Sequence, residues 1–132
     1  MSDNAQTPMA PVSWGEVIDK ITILEIKAVH IRAEAALANV KHELALLSAT
    51  ATAVAANAEV VKLRADLKAV NEALWDVEDK LRDKERAKSF DAEFIELARA
   101  VYRTNDRRAA LKKDINNALH SGIVEEKSYA AY

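Results

Sequence analysis

The stretch Glu59–Lys88, EVVKLRADLKAVNEALWDVEDKLRDKERAK, has no glycine or proline and places an apolar residue at every third or fourth position. The members of this repeat are Val60, Leu63, Leu67, Val70, Leu74, Val77 and Leu81. Because an α-helix has about 3.6 residues per turn, these residues share one helical face. The stretch therefore predicts a long amphipathic helix that buries this face.

The sequence before this stretch predicts a first helix that begins at Ser13. The Ser13 hydroxyl can accept from the free amides of the first turn, and Glu16 can close a capping box. No glycine or proline follows until beyond Leu47, so one unbroken helix is expected. The segment Ser48–Ala58, SATATAVAANA, carries no charge and is predicted as a loop.

A third helix is predicted after a turn at Ser89–Asp91. Its apolar positions are Phe94, Leu97, Val101, Leu111, Ile115 and Leu119. Gly122 is expected to end it, since glycine adopts the left-handed conformation of a helix C-cap at little cost. Short connections make neighbouring helices antiparallel. The predicted fold class is all-α, with three long antiparallel helices forming a bundle or a coiled-coil-like domain over residues 13–122. A flexible N-terminal tail (residues 1–12) and a C-terminal tail (residues 123–132) flank it.

The first helix differs from the other two in having a narrow charged side. That charged seam consists of Glu16, Lys20, Lys27, Glu34 and Lys41. Most of the remaining circumference is apolar, and such a helix must be covered nearly all round. Two partner helices cover it in part. We therefore expect either a homodimer formed through the first helix or a fourth covering element, such as a tail folded back.

The composition of the chain argues against several classes of function. The 132 residues carry a net charge of -2 and no cysteine. No basic excess marks a nucleic-acid partner, and thiolate metal sites and disulfides are impossible. No segment has the roughly 20 apolar residues that span a bilayer, and the N-terminus does not resemble a signal peptide. We expect a cytoplasmic protein that binds neither nucleic acid nor membrane.

Polar residues interrupt the apolar faces at similar heights in the predicted bundle. This predicted polar layer consists of Glu25, Arg32, Asn71, Trp75, Glu78, Tyr102, Asn105, Arg108 and Lys112. One interpretation is a structural layer of salt bridges and hydrogen bonds that fixes helix register. The other is a binding site for a small anion, because guanidinium groups suit carboxylate and phosphate.

Other arrangements of reactive residues are absent from the sequence. The three histidines form no metal-binding pair, and there is no glycine-rich phosphate loop or nucleophile turn. Asp76 and Asp79 point away from the apolar face and have basic neighbours, which is typical of a solvated helix surface. We predict no metal and no cofactor, and we find no catalytic motif.

Four blocks of the chain resemble a known family. They are SWGEVIDKITILEIK (residues 13–27), LWDVED (74–79), YRTNDRR (102–108) and VEEKSY (124–129). Together they resemble a family of small uncharacterised bacterial helical proteins, a domain of unknown function, from Val12 to Tyr129. The resemblance implies no activity or cofactor.

Two functional hypotheses follow from these observations. The first is a helical-bundle interaction or assembly module without catalysis, which self-associates and contains a buried polar layer. The alternative is a small-anion-binding enzyme or sensor, in which Arg32, Arg108 and Lys112 hold the anion and Glu25 or Glu78 acts as a general base.

Overall fold

The computed structural model describes residues 6–132, which form four α-helices and no strand. They are α1 (Trp14–His30), α2 (Glu34–Ala51), α3 (Ala58–Arg86) and α4 (Ala92–Ala118). The all-α class agrees with the prediction, and the prediction of three helices is wrong. The chain before residue 6, including the start of the predicted N-terminal tail, lies outside the described residues.

The extra helix arises because the predicted first helix breaks at residues 31–33. Ile31 and Ala33 adopt extended backbone conformations, with ψ angles of 127° and 123°. One straight helix to Leu47 would be about 50 Å long and would carry its second half away from the other helices. The break instead folds α2 back onto α1, and Leu44 and Leu47 pack against the core. Tertiary packing therefore overrides the local helix preference.

α1 is the central helix of the molecule. α2, α3 and α4 all pack against it, whereas α2 approaches neither α3 nor α4 within the described residues. Ile18, Ile21, Leu67 and Ile115 are almost completely buried in the core between them. α2 thus covers part of the apolar circumference of α1, in addition to α3 and α4. Whether the protein dimerises stays a prediction.

The two longest helices, α3 and α4, form an antiparallel hairpin that extends beyond α1. We call its outer part, residues 72–104, the arm. No residue of the arm is buried, although it continues the apolar pattern of both helices. Inside the body of the molecule the same two helices contain Leu67 and Ile115, which are fully enclosed. Beyond its base, where Trp75 and Glu78 lie beside the end of α1, the arm is therefore a pair of helices with no third helix over their shared apolar seam.

Gly122 does not end the last helix as predicted. α4 ends at Ala118, and the left-handed residue after it is His120, with a φ of 51°. The amide of Ser121 donates to the carbonyl of Asn116 at 2.8 Å, which is the pairing of a Schellman motif. Neither glycine has a positive φ. This end of α4 lies against the start of α1, where the Trp14 amide donates to Ser121 Oγ at 3.2 Å and the Gly15 amide donates to Asn116 Oδ1.

Candidate functional site

Asp19 of α1 is the centre of a buried polar cluster. Its carboxylate is 1% exposed and accepts from Arg108 Nε at 2.9 Å and from Arg108 Nη2 at 2.6 Å. Asn71 Nδ2 donates to Asp19 Oδ1 at 3.0 Å and to Thr22 Oγ1 at 2.9 Å. Side chains from α1, α3 and α4 thus meet around one carboxylate. We call Asp19, Thr22, Asn71 and Arg108 the Asp19 cluster.

The Asp19 cluster is electrostatically self-contained. The bidentate hydrogen bonding to Asp19 raises the pKa of Arg108, and the Asp19 charge adds to this against the effect of burial. In residues 6–132, no enclosed side-chain nitrogen or oxygen lacks a hydrogen-bond partner. Since an unpaired buried charge is costly, this pairing is what allows a carboxylate inside the core.

A second polar cluster joins the start of α1 to the end of α4. The amide of Gly15 donates to Asn116 Oδ1 at 2.6 Å, and Lys112 Nζ donates to Glu16 Oε2 at 2.8 Å. Glu125 of the C-terminal segment accepts from the Ser13 hydroxyl at 3.0 Å. Burial alone would lower the pKa of Lys112, but the hydrogen bond and charge of Glu16 outweigh it and raise the pKa. Ser13 caps α1 as predicted, whereas Glu16 binds Lys112 rather than closing a capping box.

A cleft opens beside the Asp19 cluster, where α1 ends. It has a volume of about 200 Å³ and is lined by Ile23, Ile26, Lys27, Asn71, Leu74, Trp75, Glu78 and Arg108. We call it the polar cleft. His30, the last residue of α1, stacks on the Trp75 ring with the centroids 4.7 Å apart. The cleft therefore combines an apolar floor with a cation, a carboxylate, an amide and an indole at its rim.

The structure brings together four residues of the predicted polar layer and separates the others. Asn71, Trp75, Glu78 and Arg108 line the polar cleft. Lys112 lies one turn further along α4, in the cluster at the start of α1.

The other four predicted residues lie away from the polar cleft. Glu25 pairs with Arg64 at 3.2 Å and Lys68 at 3.7 Å. Arg32 is exposed in the break between α1 and α2, where a helical projection no longer applies. Tyr102 and Asn105 line a surface groove with the C-terminal segment, where Tyr132 packs edge-on against Tyr102 at 5.1 Å.

Sequence reasoning missed Asp19, Thr22, Lys27 and Asn116. The sequence contained a signal that Asp19 is buried: Asp19 lies outside the charged seam, on the part of the helix circumference that is mostly apolar. A polar residue in that position must be buried and therefore paired. Lys27 belongs to the seam, which predicted solvent exposure. No pattern in the sequence indicated Asn116, because its role depends on how closely α4 approaches Gly15.

The described residues contain neither a metal-binding cluster nor a helix that could span a membrane. Nowhere in residues 6–132 do three histidine or carboxylate side chains converge as they would around a metal ion. None of the described helices combines the length and the apolar character needed to cross a bilayer.

Comparisons with known proteins identify the family and nothing more specific. No curated protein and no solved structure matches the chain. A family model matches residues 9–132, which include all four helices, the Asp19 cluster and the polar cleft. The chain therefore belongs to the family of unknown function DUF6165.

Proposed function

We propose that the protein is a cytoplasmic helical assembly module without catalysis, and that it forms a reversible homodimer through the arm. The observation that carries this proposal is the unfilled apolar seam of the arm. Its groove has a volume of about 470 Å³ and a floor formed by Leu81, Phe94, Ala98 and Val101. In the body, α1 covers the corresponding side of α3 and α4. The groove begins where α1 stops, near Glu78, which lines both the groove and the polar cleft.

A second copy of this chain is the occupant that the charges favour. The α3 rim of the groove carries Glu78, Arg82 and Glu85, so both signs alternate along it. A rim of one sign would indicate a partner of opposite charge, whereas a mixed rim tolerates its own copy. Phe90 is more than half exposed and packs edge-on against Phe94, so it extends the apolar surface of the groove.

The size of the arm indicates a weak dimer. Each arm helix is about 20 Å long, and two helices side by side are about 20 Å wide. Two such faces in contact would bury roughly 800–1,200 Å², which is the range of reversible protein interfaces. Pairing two hairpins would give each seam the helices it lacks, as in a four-helix bundle. The Asp19 cluster supports this role by holding α1 in register with the base of the arm.

The small-anion alternative is less favoured in the form that the sequence suggested. Two of its three cations, Arg108 and Lys112, are paired with Asp19 and Glu16. The third, Arg32, lies in the break after α1. An anion held by these groups would have to displace two ion pairs that are partly or wholly shielded from water.

The proposal predicts that Ala98→Lys shifts the protein towards the monomer. A lysine at this position fills the groove without removing a packed side chain, because Ala98 lies on the open floor. Ala73→Lys is the matched control, since Ala73 is exposed and does not line the groove. Sedimentation velocity over a range of concentrations should show wild type and Ala73→Lys dimerising while Ala98→Lys stays monomeric. A monomeric wild type at every concentration, or equal dimerisation of all three proteins, would refute the proposal.

A further inference from the structure

We propose that the polar cleft binds a small zwitterion, namely a free α-amino acid with an apolar side chain. This site is distinct from the arm groove, with which it shares one lining residue, Glu78. Three observations carry it: an unused acceptor on a buried amide, two opposite charges that do not pair across the cleft, and an apolar floor of matching size.

The unused acceptor is Asn71 Oδ1. Asn71 is 5% exposed, and its Nδ2 is fully used by Asp19 and Thr22. Its Oδ1 accepts no hydrogen bond from any residue in the range 6–132. Enclosed side-chain oxygens without partners do not occur in that range. Asn71 Oδ1 is therefore not fully enclosed, and Asn71 lines the polar cleft. A buried amide held by two hydrogen bonds with its carbonyl directed into a cleft is a preorganised acceptor.

The two charges that do not pair with each other across the cleft are those of Lys27 and Glu78. Both side chains line the cleft, yet their charged atoms do not come within 4.0 Å of one another. Lys27 has no carboxylate partner within that distance among the described residues. Glu78 is paired within its own helix, with Arg82 at 3.7 Å, and the side chains of Glu78 and Arg82 are 44% and 66% exposed. Such an exposed pair is weak, so the Glu78 carboxylate stays available to a ligand.

These groups match the two charges of an amino acid. Lys27 Nζ can donate to the carboxylate, assisted by Arg108, whose Nη1 is not used by Asp19. Glu78 and Asn71 Oδ1 can accept from the ammonium group. A simple anion would satisfy Lys27 but meet the Glu78 charge, and a simple cation would do the reverse. A zwitterion satisfies both sides at once.

The apolar floor of the cleft determines which side chain the bound amino acid carries. Ile23, Ile26 and Leu74 are aliphatic, and Trp75 is held in place by its stacking on His30. A volume of about 200 Å³ holds about seven water molecules at about 30 Å³ each. That space suits a side chain of the size of leucine, whose burial would add apolar contact to the polar recognition.

Isothermal titration calorimetry of the full chain tests this proposal with three matched compounds. They are L-leucine, isocaproate, which lacks the ammonium group, and isoamylamine, which lacks the carboxylate. We expect L-leucine to bind at least about tenfold more tightly than either analogue, because each analogue leaves one charged group of the cleft without a partner. Equal binding of isocaproate would show a plain anion site and overturn the proposal. So would the absence of binding for L-leucine, L-valine and L-phenylalanine at millimolar concentration.

Two variants assign the charges to their ligand groups. Lys27→Gln should remove the advantage of L-leucine over isoamylamine, and Glu78→Gln should remove its advantage over isocaproate. Both side chains lie at the protein surface or half-buried, so circular dichroism should show both variants folded. Lys41→Gln, on the exposed side of α2, is the control and should bind like wild type. Ala98→Lys should also bind L-leucine normally. This result separates the cleft from self-association, and loss of binding in either control would contradict the assignment.

Discussion

Arg108→Leu is expected to lower the free energy of unfolding by about 3–5 kcal/mol, the usual cost of breaking a buried ion pair. The leucine keeps part of the packing of the arginine stem but leaves the Asp19 carboxylate without its guanidinium. Asp19 is 1% exposed and cannot recover by hydration, although Asn71 still donates to it. Urea denaturation followed by circular dichroism measures the change.

Further variants distinguish the lost pair from other effects of this substitution, and they include Asp19→Asn alone, which completes the double-mutant cycle with Arg108→Leu. Arg107→Leu is the control, because Arg107 is the exposed neighbour on the same helix, and it should change stability little. Asp19→Asn combined with Arg108→Leu should be more stable than Arg108→Leu alone, since the asparagine removes the orphaned charge and keeps an acceptor for Asn71. Strictly additive losses in this double-mutant cycle would mean that the pair is not coupled.

Gly15→Ala is expected to destabilise the protein by about 1–3 kcal/mol, as overpacked sites do. A Cβ on Gly15 would lie 2.4 Å from the backbone oxygen of Lys112 and 3.0 Å from Asn116 Oδ1. Backbone atoms of α4 cannot move aside without shifting the helix. The shift would also stretch the hydrogen bond between the Gly15 amide and Asn116, which is 2.6 Å long.

The second glycine of the chain provides the control for Gly15. A Cβ on Gly122 meets no atom within 4 Å, and Gly122 does not have a positive φ. Gly122→Ala should therefore leave the unfolding transition nearly unchanged. If both substitutions shifted the thermal midpoint equally, the close approach of α1 to α4 at Gly15 would not be the cause.

The sequence predicted the helices whose apolar spacing is regular and failed where tertiary packing decides. The repeat from Val60 to Leu81 located α3, and the turn near Ser89 located the start of α4. The break at residues 31–33 carries no glycine, proline or capping side chain, and Ala33 makes no side-chain cap bond. Its cause is the burial of α2 on α1, which local preferences do not encode.

The candidate site was predicted in part for a similar reason. Helical projection placed Asn71, Trp75, Glu78 and Arg108 on facing surfaces, and they line one cleft. The projection of the first helix failed beyond residue 30, so Arg32 was misplaced with respect to the layer. Glu25 was assigned to the polar layer from its angle on the helical projection alone. In the structure it pairs instead with Arg64 and Lys68, on another side of α3. Ion-pair choice among several nearby lysines and arginines depends on distances that the sequence does not contain.

The separation of Asp19 and Arg108 along the chain affects how the protein folds during synthesis. These partners are 89 residues apart, and Gly15 and Asn116 are 101 apart. α1 therefore leaves the ribosome long before Arg108, which pairs with Asp19, and Asn116, which accepts from the Gly15 amide, are synthesised. Until then α1 can pack against α2 and then against α3, which precede α4 in the chain. Completion of the native body waits for the synthesis of α4, so truncation within α4 should leave α1 without the residues that pair with Asp19 and Gly15.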